Sequence, residues 1–196
     1  MLAGIILAAS AACSGSSADK ASPTATVATE PAPTTTTDPY AVPATIDVAY
    51  VNQVLAGLDR VMGDVTRLVV RTRTIPPEAY EALRAAYKDP DFLQIQIDNF
   101  QSDMRKGFAS YKSEPGNQVT TVTQMLTADH KCIFARVQRS YAEITVQGSS
   151  DPHILWVALQ PSDPARDPNF YNRTHWAYIY DGFPPDRSQP ADPCAA

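Results

Sequence analysis

Chemistry in this chain would have to come from three cysteines (Cys13, Cys132, Cys194), three histidines (His130, His153, His175) and a scatter of carboxylates. No two histidines share a metal-ligand spacing and there is no CxxC pair, so neither a metal nor a cofactor is expected. GxSxG, SxxK, P-loop and GxGxxG patterns are absent. A Ser/His/Asp set need not be local in sequence, but such common residue types carry little weight. His130 falls in an expected turn beside Asp129 and Lys131 and should face water. His153 begins an expected strand, and His175 directly precedes Trp176. Cys132 with His153 or His175 is a conceivable nucleophile–base pair distant in sequence. Seven of the 17 aromatic residues (Trp156, Phe170, Tyr171, Trp176, Tyr178, Tyr180, Phe183) fall between positions 153 and 183. That density fits a cleft for a glycan, a lipid or an apolar small molecule, and equally the packed core of an antiparallel sheet. Asn172-Arg-Thr174 matches the N-glycosylation acceptor pattern.

The elements that must position these residues read as helices first and strands after. Thr45 can cap a helix with Asp47 in its first turn. Val51, Val54, Leu55, Leu58, Val61, Met62, Val65, Leu68 and Val69 then form one apolar stripe. Arg60, Asp64, Arg67 and Arg71 lie opposite, either as a basic stripe or as a solvated ladder of ion pairs. Pro76-Pro77 ends the helix. A second runs from Pro77 to Tyr87 with Tyr80, Leu83 and Tyr87 on one side. Asp89-Pro90 breaks it, and Asp91 can cap a third carrying Leu93, Ile97, Phe100 and Met104. After Gly116 the period becomes two. Strands are expected over Val119–Thr127, Cys132–Val146 (one or two), His153–Gln160 and Thr174–Tyr180. The last should carry Trp176, Tyr178 and Tyr180 on one face and Ala177 and Ile179 on the other. Short connections make the sheet antiparallel, and the order makes the fold α+β with helices on one face.

At 196 residues, 44% hydrophobic and 19% charged, the composition is that of a soluble protein with one main domain. A net charge of -5 gives no electrostatic case for nucleic-acid binding. Leu2 to Ala12 is uncharged and apolar, too short for the roughly 20 residues of a bilayer span. From Ser14 to Tyr40, 20 of 27 residues are Ala, Ser, Thr or Pro, too little apolar surface to fold. A flexible chain of that length spans about 30 Å. The expected organisation is an export segment at 1–13, a tether at 14–40 and a globular domain at 41–196.

The N-terminal run resembles a secretory signal peptide, and Ser10-Ala11-Ala12-Cys13 resembles a bacterial lipobox, with Ser10 where Leu is usual. The resemblance implies lipidation of Cys13 and anchorage at the outer side of the cell membrane. The alternative is an ordinary signal cut and a secreted product in which Cys13 is a spare thiol. Lipidation would leave Cys132 and Cys194 as a pair in a compartment that permits a disulfide. A bridge across about 63 residues would stabilise by about 4 kcal/mol in the chain-entropy model; two free thiols are the alternative. A long N-terminal helix, two shorter ones and a curved antiparallel sheet of four or more strands resemble the NTF2-like fold over Thr45 to Tyr180. Asn172-Arg-Thr-His-Trp176 with Asp181-Gly182-Phe183 and Asp192-Pro193-Cys194 resembles a group of actinobacterial envelope lipoproteins, which brings no activity with it. The NTF2-like resemblance implies a pocket between helix and sheet, and the candidate lining is Trp156, His175, Trp176, Tyr178, Tyr180 and Asp181. The expected function is a non-catalytic, lipid-anchored envelope protein binding a small apolar ligand or a protein partner. A small pocket enzyme of isomerase or dehydratase type and a purely structural interaction module are the alternatives.

Overall fold

The computed structural model describes residues 38–146, 152–182 and 188–195. Cys13, the export segment, the tether up to residue 37, the turn at 148–151 and Phe183 lie outside the described residues.

Three helices precede a four-stranded antiparallel sheet of order β1-β2-β3-β4. Helix α1 covers Val48–Thr72, and Asp47, not Thr45, caps it: the Asp47 carboxylate accepts from the Tyr50 N–H at 2.8 Å. Arg73, in the left-handed region at φ 57°, closes the other end by donating its N–H to Val69 O. The helix therefore stops before Pro76. Helix α2 is Pro77–Ala86 and α3 is Pro90–Arg105. Asp89, rather than Asp91, caps α3, accepting from the Asp91 and Phe92 N–H groups, with Pro90 placed where no N–H is needed. On α2, Leu83 is buried, as is Tyr87 just beyond its end, whereas Tyr80 is exposed.

The strands are β1 Val119–Ala128, β2 Ile133–Ser140, β3 His153–Pro161 and β4 Trp176–Gly182. Strand β2 stops at Ser140 because residues 141–146 fold back, with the Ile144 and Thr145 N–H groups donating to Tyr141 O. Strand β4 starts two residues later than Thr174, because His175 is left-handed at φ 62° and breaks the extended chain.

One face of the sheet carries Val122, Ile133, Ala135, Val137, Leu155, Val157, Leu159, Trp176 and Tyr178 into a core with α1, α2 and α3. Roughly 25 cal/mol per Å² of apolar burial makes this the main stabilising layer. Side chains of α1 also blunt the free edge of β1. Asp59 takes the Thr120 N–H at 2.7 Å and Asn52 takes the Val122 N–H at 2.8 Å. The other face bears a smaller cluster of Phe134, Trp156 and Ala158, with Leu126, Ile179, Tyr180 and Cys194 packed on it. A disulfide joins Cys132 to Cys194 across 62 residues and holds the C-terminal segment there. Thr127 adds a hydrogen bond to Asp192.

Tyr180 departs from the expected face. The β3–β4 register shifts between Ala158 and Leu159, pairing Leu159 with Tyr178 and Ala158 with Tyr180. This β-bulge leaves Ile179 unpaired and inverts the alternation beyond it. Tyr180 therefore joins Trp156 on the outer cluster, and Asp181 turns inward.

Candidate functional site

The inward turn of Asp181 brings it to Arg139, whose position follows from β2. Ile133, Ala135 and Val137 point at the helices, so Arg139 is next in that row. The Arg139 Nη1 donates to both Asp181 carboxylate oxygens, at 2.8 and 3.1 Å. Their side chains are 5% and 2% exposed. Tyr87, just past α2, donates its phenol to Asp181 Oδ2 at 2.8 Å and stacks on Tyr178 with ring centroids 5.1 Å apart. The Arg139 Nε donates to Thr120 Oγ1, which in turn donates to Asp59. Gln118 completes the network by donating to Asp59 Oδ1 at 2.9 Å.

Burial sets the charge states. Desolvation raises the Asp59 pKa from its usual 3.8, although Arg139, Gln118 and Thr120 all favour its ionised form. Burial and the nearby Asp181 charge push the Tyr87 phenol well above the usual range. Burial likewise raises Tyr178, against the opposing pull of Arg139. Desolvation opposes the Arg139 charge, but the Asp181 carboxylate outweighs it and holds the guanidinium protonated.

A cavity of about 330 Å³ opens onto this network between α1, α3 and the sheet. Tyr87, Gln118, Arg139 and Asp181 form its inner wall, and Met62, Phe100 and Ile144 supply apolar surface. Gln96, Asn99 and Asp103 of α3 and Lys106, Tyr141 and Thr145 surround the rest. Tyr111 donates its phenol to Asp103 at 2.7 Å, and burial followed by that bond raises its pKa. The cavity is thus lined by amides, hydroxyls, carboxylates and cations over a smaller apolar part.

The six candidate lining residues are dispersed. Asp181 lines this cavity and Tyr178 lies beneath it, fully buried. Trp176 is core, its indole donating to Tyr50 Oη at 2.8 Å. Trp156 and Tyr180 are on the opposite face of the sheet. His175 lies in a separate groove, paired with Asp38 at 2.6 Å. Arg139, Asp59, Gln118 and Tyr87 are the members that the aromatic clustering did not reveal. Among the histidines, His130 is exposed against Ala44 O and His153 is exposed beside Tyr141. Cys132 is consumed by the disulfide, which removes it as a thiol nucleophile. Asn172 is buried and spends its amide on Ala85 O and Trp176 O, so its glycosylation pattern is inaccessible in the folded chain. Of the opposite α1 stripe, Asp64 pairs with Arg67 at 2.5 Å and Arg67 also reaches Asn117, which is one ion pair among the described residues rather than a ladder.

Among the described residues, no group of three or more His, Cys, Asp or Glu side chains is placed to hold a metal ion, and no helix is long and apolar enough to cross a membrane. Comparison with protein-family models, with curated proteins and with solved structures returns no match, so the chemistry of the site is argued from its own residues.

Proposed function

We propose that this is a lipid-anchored envelope protein whose NTF2-like domain binds a small polar molecule in the cavity beside Arg139 and Asp181. The carrying observation is a buried, fully hydrogen-bonded ion pair at the back of an open cavity. Buried ion pairs add little net stability compared with apolar residues of similar size, so their presence at a cavity wall favours a role in recognition. The polar lining favours a hydrogen-bonding ligand over the apolar one expected from the aromatic residues. The helix-first order and one-faced packing support the NTF2-like assignment. The apolar leader ending at Cys13, the Ser/Thr/Pro-rich spacer and the disulfide support export and anchorage.

The carboxylates near the cavity are poorly placed as general bases, and Asp103 on its wall accepts the Tyr111 phenol. Asp181 is held by Arg139 and Tyr87, and Asp59 by Gln118 and by both donors of Thr120. A general base needs a lone pair within reach of substrate.

Ligand-observed NMR with small carboxylic acids, amides and polyols tests the reading. At least one should bind at millimolar concentration or tighter. Asn99→Trp, an exposed α3 position at the cavity wall, should weaken it about tenfold, or 1.4 kcal/mol. Absence of binding, or binding that Asn99→Trp leaves untouched, overturns it.

A further inference from the structure

A second concavity, a groove of about 820 Å³, lies between residues 38–40, α1 and the segment from Ser162 to His175. We propose that this groove binds a single-chain anionic amphiphile, an alkyl chain ending in a phosphate or carboxylate, independently of the inner cavity.

The groove has a basic end and an apolar end. A notch of about 90 Å³ between α1 and α2 continues it, the two sharing Val61, Asp64 and Tyr171. Val65, Leu68, Ala79 and Ala82 give the notch its apolar lining. Arg60 lies on α1 about 12 Å from Leu68 along the axis, at 1.5 Å per residue, toward the start of the helix. Arg173 belongs to the same end as Arg60. The side chain of its neighbour Thr174 packs so closely on Gly57 that a Cβ there would strike it, and Gly57 is one helical turn from Arg60.

The charges give an occupant its direction. Arg60 and Arg173 are exposed and make no ion pair among the described residues. The Arg60 guanidinium donates to the Tyr40 hydroxyl and lies over its ring, 6.0 Å from the centroid, which leaves its charge uncompensated. The carboxylates of the groove are engaged. Asp38 accepts the Tyr40 N–H at 2.8 Å and pairs with His175, Asp64 pairs with Arg67, and the buried Asp167 accepts the Tyr171 and Asn172 N–H groups. At the notch the charged lining residues are Asp64 and Glu78, which repel an anionic head. The head therefore sits on Arg60 and Arg173, where guanidiniums give charge-assisted hydrogen bonds to phosphate or carboxylate oxygens. The chain runs along Val61 and Tyr171 into the notch, and Phe170, open to solvent at 71% exposure, adds apolar surface to the groove. A small inorganic anion would leave the apolar walls bare, and an uncharged chain would leave both guanidiniums unused.

The test is titration calorimetry of the oxidised full-length chain with alkyl phosphates below their critical micelle concentrations, with near-ultraviolet circular dichroism of the saturated protein. Decyl phosphate should bind about tenfold or more tightly than inorganic phosphate, which has no tail, and than decyl glucoside, which has no charge. From hexyl to decyl phosphate each methylene should tighten binding about threefold, and Leu68→Gln should reduce that gain. Arg173→Gln, at an exposed position, should keep the melting temperature, weaken decyl phosphate about fivefold or more and leave decyl glucoside unchanged. Asn99→Trp, which blocks the inner cavity alone, should alter none of these, so failure of the groove and failure of the cavity are read separately. The proposal is overturned if inorganic phosphate or decyl glucoside binds as tightly as decyl phosphate, or if Arg173→Gln binds decyl phosphate as well as the wild type. It is equally overturned if binding abolishes the circular dichroism of the folded chain, or if phosphatidylglycerol vesicles bind while the monomeric phosphates do not.

Discussion

Arg139 and Asp181 are buried together, and each makes the other tolerable. Arg139→Met should cost about 3–5 kcal/mol, since it strands a carboxylate in the interior. Arg139→Met combined with Asp181→Leu should recover part of that loss, because it removes the stranded Asp181 carboxylate while Asp59 still loses its neighbouring cation. Urea midpoints of the two variants check this; a double variant as unstable as the single one would contradict it. Asp59 gives a pH signature. Its folded pKa is raised above 3.8, chiefly by desolvation, so the folded state holds that proton more firmly than the unfolded chain does. Its contribution to stability is fully present below 3.8 and is lost as pH rises through the raised value. The stability of Asp59→Asn relative to wild type should therefore rise with pH from the acid range towards neutrality, measured by denaturation at stepped pH; a flat difference would contradict it. Arg139 was legible in principle, as the next member of the inward row Ile133, Ala135, Val137. Asp59 shares a buried side of α1 with Gly63 and Thr66, a polar and small-residue pattern that an apolar stripe does not disclose. Asp181 was named as pocket lining only through the NTF2-like resemblance, whereas an unbroken alternation from Trp176 places it outward.

Element types were well marked in the sequence and element ends less so. The apolar stripe of α1 and the change of period after Gly116 correspond to the observed helices and strands. The caps moved because Asp is as good a cap as Thr and the choice depends on which residue leaves the helical region first. Asp47→Ala should thus cost about 1 kcal/mol while Thr45→Ala should stay within about 0.5 kcal/mol, by thermal or urea unfolding; the reverse order would contradict the observed cap. The bulge at Ile179 is the largest departure, since a single extra residue moves Tyr180 to the outer face and Asp181 to the inner one. The sequence Tyr-Ile-Tyr-Asp is compatible with either alternation. What decides it is tertiary: the Arg139 guanidinium and the Tyr87 hydroxyl both await a carboxylate on the inner side. Gly63 is set by a similar close approach, because a Cβ there would strike the Asn117 side chain that receives Arg67.

At the scale of the molecule, helices cover one sheet face and a disulfide-held tail covers part of the other. Reduction should cost up to about 4 kcal/mol in the chain-entropy model and release Cys194 from the Phe134–Trp156 cluster. Trp156 emission should then shift to the red while Trp176, 1% exposed, keeps its buried spectrum. Selective replacement of each tryptophan by Phe separates the two signals, and an unchanged Trp156 spectrum after reduction would contradict the covering role of the tail. The proposed reading is of a binding domain held outside the cytosol by a lipid on Cys13. Intact-mass spectrometry of the protein taken from the membranes of the cells that make it tests that claim most directly. The account predicts a chain beginning at Cys13, carrying a diacylglyceryl group, and lighter by two hydrogens than its reduced form. A soluble chain that retains Met1 and three free thiols would contradict it.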